Sequence, residues 1–255
     1  VLIKESVEGS QSEALRLEAK ATSEWSARNE ALIGDKKYST LQKAIEAAKD
    51  GDEIIIIAGD DDDEGNTVYT DPLTIDKAIT IQLASGKQGG NTTYKEHAIA
   101  LKSGAKDALF TVAAGGSLTI DDKSSSSNSS AKLGIEGAIA VNGGSLRLNT
   151  VKMTNNIQVN GGDVVFSGGR MTGGIDLDDG NVWLQNNVIV NNENYPNHIN
   201  GGSFTLDKSS GNMYFVLNNN QVLIAGENFR EGSKMLYIAL DNDTYNDYRN
   251  LHPDD

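Results

Sequence analysis

The segment Ala138-Ile-Ala-Val-Asn-Gly-Gly-Ser-Leu-Arg-Leu148 decides the fold. Two short runs with period-2 alternation, Ile139/Val141 and Leu146/Leu148, flank the turn Asn142-Gly143-Gly144. The second half of the unit occurs five times: Gly115-Gly-Ser-Leu-Thr-Ile120, Gly143-Gly-Ser-Leu-Arg-Leu148, Gly161-Gly-Asp-Val-Val-Phe166, Asp179-Gly-Asn-Val-Trp-Leu184 and Gly201-Gly-Ser-Phe-Thr-Leu206. Successive starts lie 28, 18, 18 and 22 residues apart, a period that makes one coil of a solenoid. A leucine-rich repeat has a similar period, but its L-x-x-L-x-L and asparagine spacing is absent. The two longer intervals hold insertions, the serine-rich loop Ser124–Ser130 and a segment around Asn191–Asn197.

Each coil carries a strand before the turn (Ala138–Val141, Asn156–Val159, Gly174–Leu177) and a third short one after the repeat strand (Val151–Met153, Arg170–Met171, Val188–Val190). The turns Asn142-Gly-Gly, Asn160-Gly-Gly, Asp178-Asp-Gly and Asn200-Gly-Gly consist of residues that tolerate φ > 0, as a sharp corner demands. Alternation then predicts three sets of inward files. The first holds Leu118/Ile120, Leu146/Leu148, Val164/Phe166, Val182/Leu184 and Phe204/Leu206. The second holds Ile139/Val141, Ile157/Val159 and Ile175/Leu177, and the third Met153, Met171 and Ile189. One coil cannot bury its apolar side alone; stacking does it. Asn155-Asn156 and Asn191-Asn192 fall at equivalent places and predict an asparagine ladder along the axis, interrupted by Gly173-Gly174.

Outward from the repeats, Met213–Leu217, Val222–Ala225 and Met235–Leu240 read as strands that either finish the solenoid or form a C-terminal cap over 212–240. The first two are joined by a hairpin-like turn at Asn218–Asn220, and 241–255 is a polar tail. On the other side, Ser39–Lys49 reads as an amphipathic helix. Ser39 and Gln42 have the spacing of a capping box, and Leu41, Ala44, Ile45 and Ala48 form one narrow apolar face. Residues 1–37 read as a helical arm, because Gln11–Leu32 is rich in Ala, Glu, Leu and Arg. Its broken apolar stripe suits a loosely docked helix, or one that packs on a partner.

The order helix, buried strand, acidic loop, paired strands carries a resemblance. YSTLQKAIEAAKDGDEIIIIAG (38–59) followed by DPLTIDKAITIQL (71–83) resembles the first turns of right-handed parallel β-helix proteins of the pectin-lyase-like superfamily. The resemblance implies an all-β, single-stranded right-handed parallel β-helix over 38–240, with residues 38–50 as a helix that plugs its N-terminal end. The repeats VNGGSLRL, VNGGDVVFSGGRMTGG and INGGSFTL look like those of bacterial surface and secreted proteins. Autotransporter passengers, chlamydial polymorphic outer-membrane proteins and spirochaete or Bacteroides surface β-helices are the comparison. The chlamydial G-G-A-I element is approximated only by Glu136-Gly-Ala-Ile139, and F-x-x-N appears only at Phe215–Asn218. The expectation is a secreted or cell-surface module acting as scaffold or adhesin, with a host or bacterial surface protein or a glycan as partner.

Composition narrows the alternatives. The net charge of −14, from 22 cationic and 36 acidic residues, leaves no basic stripe for a nucleic-acid backbone. Zero cysteine excludes a disulfide scaffold, a thiolate metal site and a cysteine nucleophile. No apolar run approaches the roughly 18 residues of a membrane-spanning helix. No secretory signal pattern opens the sequence, as expected of a mature or trimmed chain. Of the 25 asparagines, 21 follow Gly134, the region of the repeats.

The alternation also predicts which residues face outward: Thr119, Arg147, Val165, Trp183 and Thr205 on the repeat strand, and Ala140, Gln158, Asp176 and His198 on its neighbour. If the two faces adjoin, Arg147, Gln158, Asp176, Trp183 and His198 form a patch in which an exposed indole beside hydrogen-bonding groups suits a sugar ring; otherwise they are ordinary solvated side chains. Carbohydrate binding, or a lyase or hydrolase activity on polysaccharide, is therefore the second reading. The catalytic β-helix motifs depart from the sequence: Asp178-Asp179 sits in a turn, and neither G-H-G nor R-x-K occurs in order. The only outward pair resembling a lyase's carboxylate and base is Asp176 with Arg147, a coil or more apart. No catalytic residues are therefore assigned. The run Asp60–Glu64 offers hard oxygen ligands for Ca²⁺ but lacks EF-hand spacing, so it reads as a solvated loop. Asp121-Asp122 reads as a turn in the same way. His97, His198 and His252 are too scattered for a metal site, and no cofactor is expected.

Overall fold

A computed structural model of the chain describes residues 29–57, 67–83, 86–88, 91–93, 96–123, 131–218, 221–226 and 236–240. These residues form an all-β structure of long parallel sheets with one helix, and they fit a β-solenoid. Three walls run the length of the stack. The first is built on Asp52–Ile56, Ala78–Leu83, Ser117–Asp121, Ser145–Asn149, the second halves of Ile157–Ser167 and Ile175–Gln185, Ser203–Leu206 and Leu223–Ala225. The second takes Leu73–Ile75, Phe110–Ala113, Ile139–Asn142, the first halves of the same two long strands, Asn197–Ile199, Met213–Leu217 and Leu236–Ala239. The third, a separate sheet, takes Thr67–Thr70, His97–Leu101, Leu133–Glu136, Lys152–Met153, Arg170–Met171, Val188–Val190 and Ser209–Ser210. The pairing within each wall is parallel, so each strand contributes one rung, about 4.8 Å above the last.

The core is the set of inward files. On the second wall Leu73, Phe110, Ile139, Ile157 and Ile175 lie in register, beside Ile75, Val112, Val141, Val159, Leu177, Ile199 and Leu217. On the first, Ile81, Ile120, Leu148, Phe166, Leu184 and Leu206 do the same. All are buried. The third file differs from the sequence expectation at one place. Arg170 pairs with Ile189 and Met171 with Val190, so Val188 and Val190 face inward and Ile189 outward. Three consecutive β-branched apolar residues leave period 2 undetermined, and the register decides it.

The corners work differently from expectation too. At Asn-Gly-Gly the left-handed backbone belongs to glycine, with φ of +138° at Gly161 and +91° at Gly162, and the asparagines do not adopt it. A Cβ on Gly162 would overlap the Gly144 carbonyl oxygen and sit 2.9 Å from Gly143 C. Gly162 is therefore required both by its dihedral and by the closeness of the rung below. The corner asparagines stack instead: Asn160 Nδ2 donates to Asn142 Oδ1 at 2.8 Å, Asn200 Nδ2 to Asp178 Oδ1 at 2.7 Å and Asn218 Nδ2 to Asn200 Oδ1 at 2.7 Å. The ladder thus lies at this corner, and Asn218 continues it rather than opening a hairpin. At the place where sequence put the ladder, the amides bind the backbone of the next rung. Asn156 Oδ1 accepts from Gly174 N, Asn191 Oδ1 from Asn212 N and Asn192 Oδ1 from Tyr214 N.

At the N-terminal end the helix is Leu41–Ala47, with Leu41, Ala44 and Ile45 buried against the first strands. Its cap is Thr40, whose hydroxyl accepts from Lys43 N at 3.2 Å, and not the Ser39/Gln42 box. The Glu30 carboxylate accepts from Leu41 N at 2.9 Å, and Lys77 Nζ donates to the Ile45 and Ala48 carbonyls at the other end. Both orphan ends of the helix are thereby satisfied. The helical arm over 1–37 is corrected at its end: Ala31–Ile33 and Lys36–Tyr38 form an antiparallel hairpin on Asp52–Ile56. The exposed edge of Asp52–Ile56 recruits Ala31-Leu32-Ile33, and Lys36 and Lys37 then blunt the new edge. The rest of the arm (1–28), the Ser124–Ser130 loop, the Asp60–Glu64 run and the tail 241–255 lie outside the described residues. Within 212–240 the strands Met213–Leu217, Leu223–Ala225 and Leu236–Ala239 continue the parallel walls.

Candidate functional site

Side chains fill the interior, so chemistry is confined to the outer walls and the ends. Register fixes where the five predicted site residues stand. On the second wall Gln158, Asp176 and His198 are consecutive in one outward file. On the first, Arg147, Val165, Trp183 and Thr205 form another. Arg147 and Trp183 are therefore two rungs apart, about 9–10 Å at sheet spacing, with Val165 between them. The two files lie on walls that meet at the glycine corner. Arg147 and Gln158 are exposed, and Asp176, Trp183 and His198 are half-buried.

Asp176 has the most distinctive electrostatics of the five. Burial pushes its carboxyl above the usual carboxylate range; His198 opposes the shift and Asp178 adds to it. Asp178 itself is held by the ladder through Asn200. The file can thus donate from Gln158 and His198 and accept at Asp176, which suits hydroxyl-rich or amide-rich ligands.

A pocket of about 230 Å³ opens elsewhere, on the third wall, lined by Thr67, Glu96, His97, Ala98, Lys132, Gly134, Glu136 and Lys152. Its floor exists because the outward file there runs Thr67, Ala98, Gly134, Lys152, so two rungs carry almost no side chain. The Lys152 ammonium reaches back across the Gly134 rung to Glu96 at 3.4 Å. Two carboxylates and two ammonium groups surround this floor, a set that can both donate to and accept from a polar ligand. Sequence reasoning did not select these residues. The available signal was a glycine inside the strand Leu133–Glu136, which marks a gap or a close approach.

The Asp121-Asp122 reading is corrected. Asp122 is buried, and its carboxylate accepts from the backbone N–H of Lys132 and, at 2.9 Å, of Leu133, so it ties residues on either side of the serine-rich loop. Asp121, at the end of its strand, has its carboxyl raised mainly by burial, against the pull of Lys123. Among the described residues no group of three or more His, Asp or Glu side chains is arranged to hold a metal ion. No helix of the described residues is long and apolar enough to cross a membrane. Comparison with protein-family models, with curated proteins and with solved structures finds no match to this chain.

Proposed function

We propose that the chain is a right-handed parallel β-helix, plugged at its N-terminal end by helix Leu41–Ala47, that serves as a non-enzymatic scaffold and adhesin in a secreted or cell-surface setting. The observation that carries this reading is the outer surface: side chains stand in register over seven or eight rungs per wall while the apolar ones pack inside. Such a wall offers many equivalent contacts to a protein or glycan on another surface and needs no cofactor. The test is binding of the fluorescently labelled chain to host and bacterial cells, alongside release of reducing ends or unsaturated products from a polysaccharide panel. Saturable binding without product is expected; product release, or binding no greater than that of an unrelated acidic protein, overturns the proposal.

Glycan binding is the second reading, favoured by Trp183 and the Gln158–Asp176–His198 file on two walls that meet at the glycine corner, and by the polar pocket around Gly134. A half-buried indole gives a sugar ring an apolar platform. A glycan array separates the two positions: Trp183→Ala removes binding at the corner, and Gly134→Leu fills the pocket without a dihedral conflict. Absence of binding by the parent chain removes the glycan reading altogether.

A further inference from the structure

Two Asp-Gly and three Asn-Gly pairs occur in the chain: Asp50-Gly51, Asp179-Gly180, Asn142-Gly143, Asn160-Gly161 and Asn200-Gly201. These pairs share one reaction. The glycine nitrogen can close on the side-chain carbonyl carbon of the residue before it, because glycine brings no Cβ into the way. Closure requires the two atoms to approach to about 3–3.5 Å instead of being held by other groups. The fold treats the five pairs unequally.

Four of them are held by neighbouring rungs. The Asp50 carboxylate accepts from Ala78 N at 2.7 Å, and Gly51 N donates to the Ala78 carbonyl at 2.7 Å, so one neighbour engages both halves of the pair. At the ladder corner Asn160 Nδ2 donates to Asn142 Oδ1 at 2.8 Å, and Asn200 Nδ2 to Asp178 Oδ1 at 2.7 Å. Gly143 N donates to the Gly161 carbonyl at 3.0 Å and Gly201 N to the Leu177 carbonyl at 3.2 Å. The fifth pair is arranged the other way. Asp178 takes the ladder position, and Asp179 stands where the other corners have the first glycine of Asn-Gly-Gly. Gly180 N turns back on its own neighbour and donates to Asp179 Oδ1 at 2.8 Å. Cγ is one bond beyond that oxygen, about 3–4 Å from the nitrogen. Asp50 and Asp179 are both exposed, so access of water does not distinguish them.

We infer that Asp179 is a site of spontaneous isomerisation to isoaspartate, and that the rungs which hold Asp50 and the three corner asparagines protect them from the same reaction. The Gly180 nitrogen attacks Cγ of the protonated Asp179 carboxyl. The N–Cγ bond forms, and the Gly180 N–H proton and the carboxyl hydroxyl leave together as water, which gives a five-membered succinimide. A solvent water then opens the ring. Cleavage at Cγ restores aspartate; cleavage at the Asp179 main-chain carbonyl carbon leaves the chain running through Cγ. No oxidant or reductant takes part, and the product has the mass of the parent. The isoaspartyl link adds one methylene to a corner that has no room for it: a Cβ on Gly180 would already overlap the Gly162 carbonyl oxygen and sit 2.8 Å from Gly162 N. The modified corner therefore loses register with the rung below, and the isomerised molecules are the less stable fraction.

Ageing the full chain in heavy-oxygen water, followed by peptide mass spectrometry, tests this. Each ring opening writes one solvent oxygen into the residue, so the label counts events at each pair. In the folded chain the label is expected at Asp179 at least about 10-fold faster than at Asp50, the scale on which near-attack geometry acts. In urea the two Asp-Gly pairs are expected to react alike, which assigns the difference to the fold. The variant Asp179→Asn compares like with like at the corner, and it is expected to lose its side-chain amide at least about 10-fold faster than Asn142, Asn160 or Asn200 of the same molecule. Equal labelling of Asp50 and Asp179 in the folded chain, an intact Asp179, the same ratio of rates in urea, or an Asp179→Asn amide as long-lived as the three corner amides each overturns the inference.

Discussion

Three glycines separate the two physical demands that the corners make on the chain, and replacing each by alanine gives a prediction with internal controls. Gly115 has φ +84° and open space where a Cβ would go. Gly173 has no left-handed dihedral, but a Cβ there overlaps the Asn155 carbonyl and lies 3.0 Å from Asn156 N. Gly162 has φ +91° and also overlaps the carbonyl of the rung below. Gly115→Ala therefore costs only the dihedral, about 1–2 kcal/mol. Gly173→Ala forces two backbones apart in a packed stack, about 1–3 kcal/mol, less the roughly 0.4–1 kcal/mol by which alanine restricts the unfolded chain. Gly162→Ala incurs both penalties, about 2–5 kcal/mol, and the same unfolded-state gain of alanine offsets part of the cost here and at Gly115. Urea unfolding followed by circular dichroism measures the three, provided the slope m is the same, since a solenoid can lose rungs locally instead of unfolding as one unit. The reasoning is refuted if Gly162→Ala is no worse than Gly115→Ala, because the close carbonyl would then be irrelevant.

Other predictions follow from buried polar groups. Asn197 occupies an inward position, where its Oδ1 accepts from Ile175 N at 3.0 Å and its Nδ2 donates to the Tyr214 carbonyl at 3.2 Å. Asn197→Ala leaves the Ile175 N–H without its acceptor, while the Tyr214 carbonyl keeps the Asn192 Nδ2 donor at 3.3 Å, and it is expected to cost about 1–3 kcal/mol in urea unfolding, whereas Asn160→Ala at the exposed ladder should cost only about 0.5–1.5. Asp122→Ala removes the acceptor for Lys132 N and Leu133 N, and limited proteolysis is expected to cut near 124–130 much faster than in the parent. Asp176, whose carboxyl is raised by burial, holds its proton more tightly folded than unfolded. Its ionisation therefore destabilises the fold above that raised pKa, and the penalty is relieved as pH falls through it toward the unfolded value. Asp176→Asn is expected to raise the melting temperature at neutral pH, with the gain fading in acid; equal melting temperatures at neutral pH would contradict it.

Wall positions were legible in the sequence because a period of two and a coil of 18–22 residues leave little freedom. Every inward pair predicted for the first and second walls is buried. The errors have physical causes. Val188-Ile189-Val190 carries no alternation, so only pairing with Arg170–Met171 sets its faces. Asn-Gly-Gly admits left-handed backbone at any of its three residues; the close approach of rungs puts it on glycine and frees the asparagine to bond along the axis. Ala31-Leu32-Ile33 sits at the end of a helix-favouring composition, but an open strand edge at Ile54–Ile56 outweighs propensity. The site was less legible. Trp183, Gln158, Asp176 and His198 face outward as expected, yet the Gly134 pocket arises from side chains that are missing, which a search for chemically active residues passes over.

The absence of cysteine gives the register its most direct test. In this account Arg147 and Val165 face outward on adjacent rungs, in register, and Trp183 stands one rung further. The double variant Arg147→Cys/Val165→Cys brings two Cα atoms to about 4.8 Å, within disulfide range, whereas Arg147→Cys/Trp183→Cys holds them at about 9–10 Å. Mild oxidation, read by mass spectrometry of the intact monomer and its peptides, should give complete intramolecular 147–165 disulfide and no intramolecular 147–183 disulfide. Equal cross-linking of the two pairs, or a 147–183 bond without a 147–165 bond, would contradict the stacked parallel solenoid on which everything else depends.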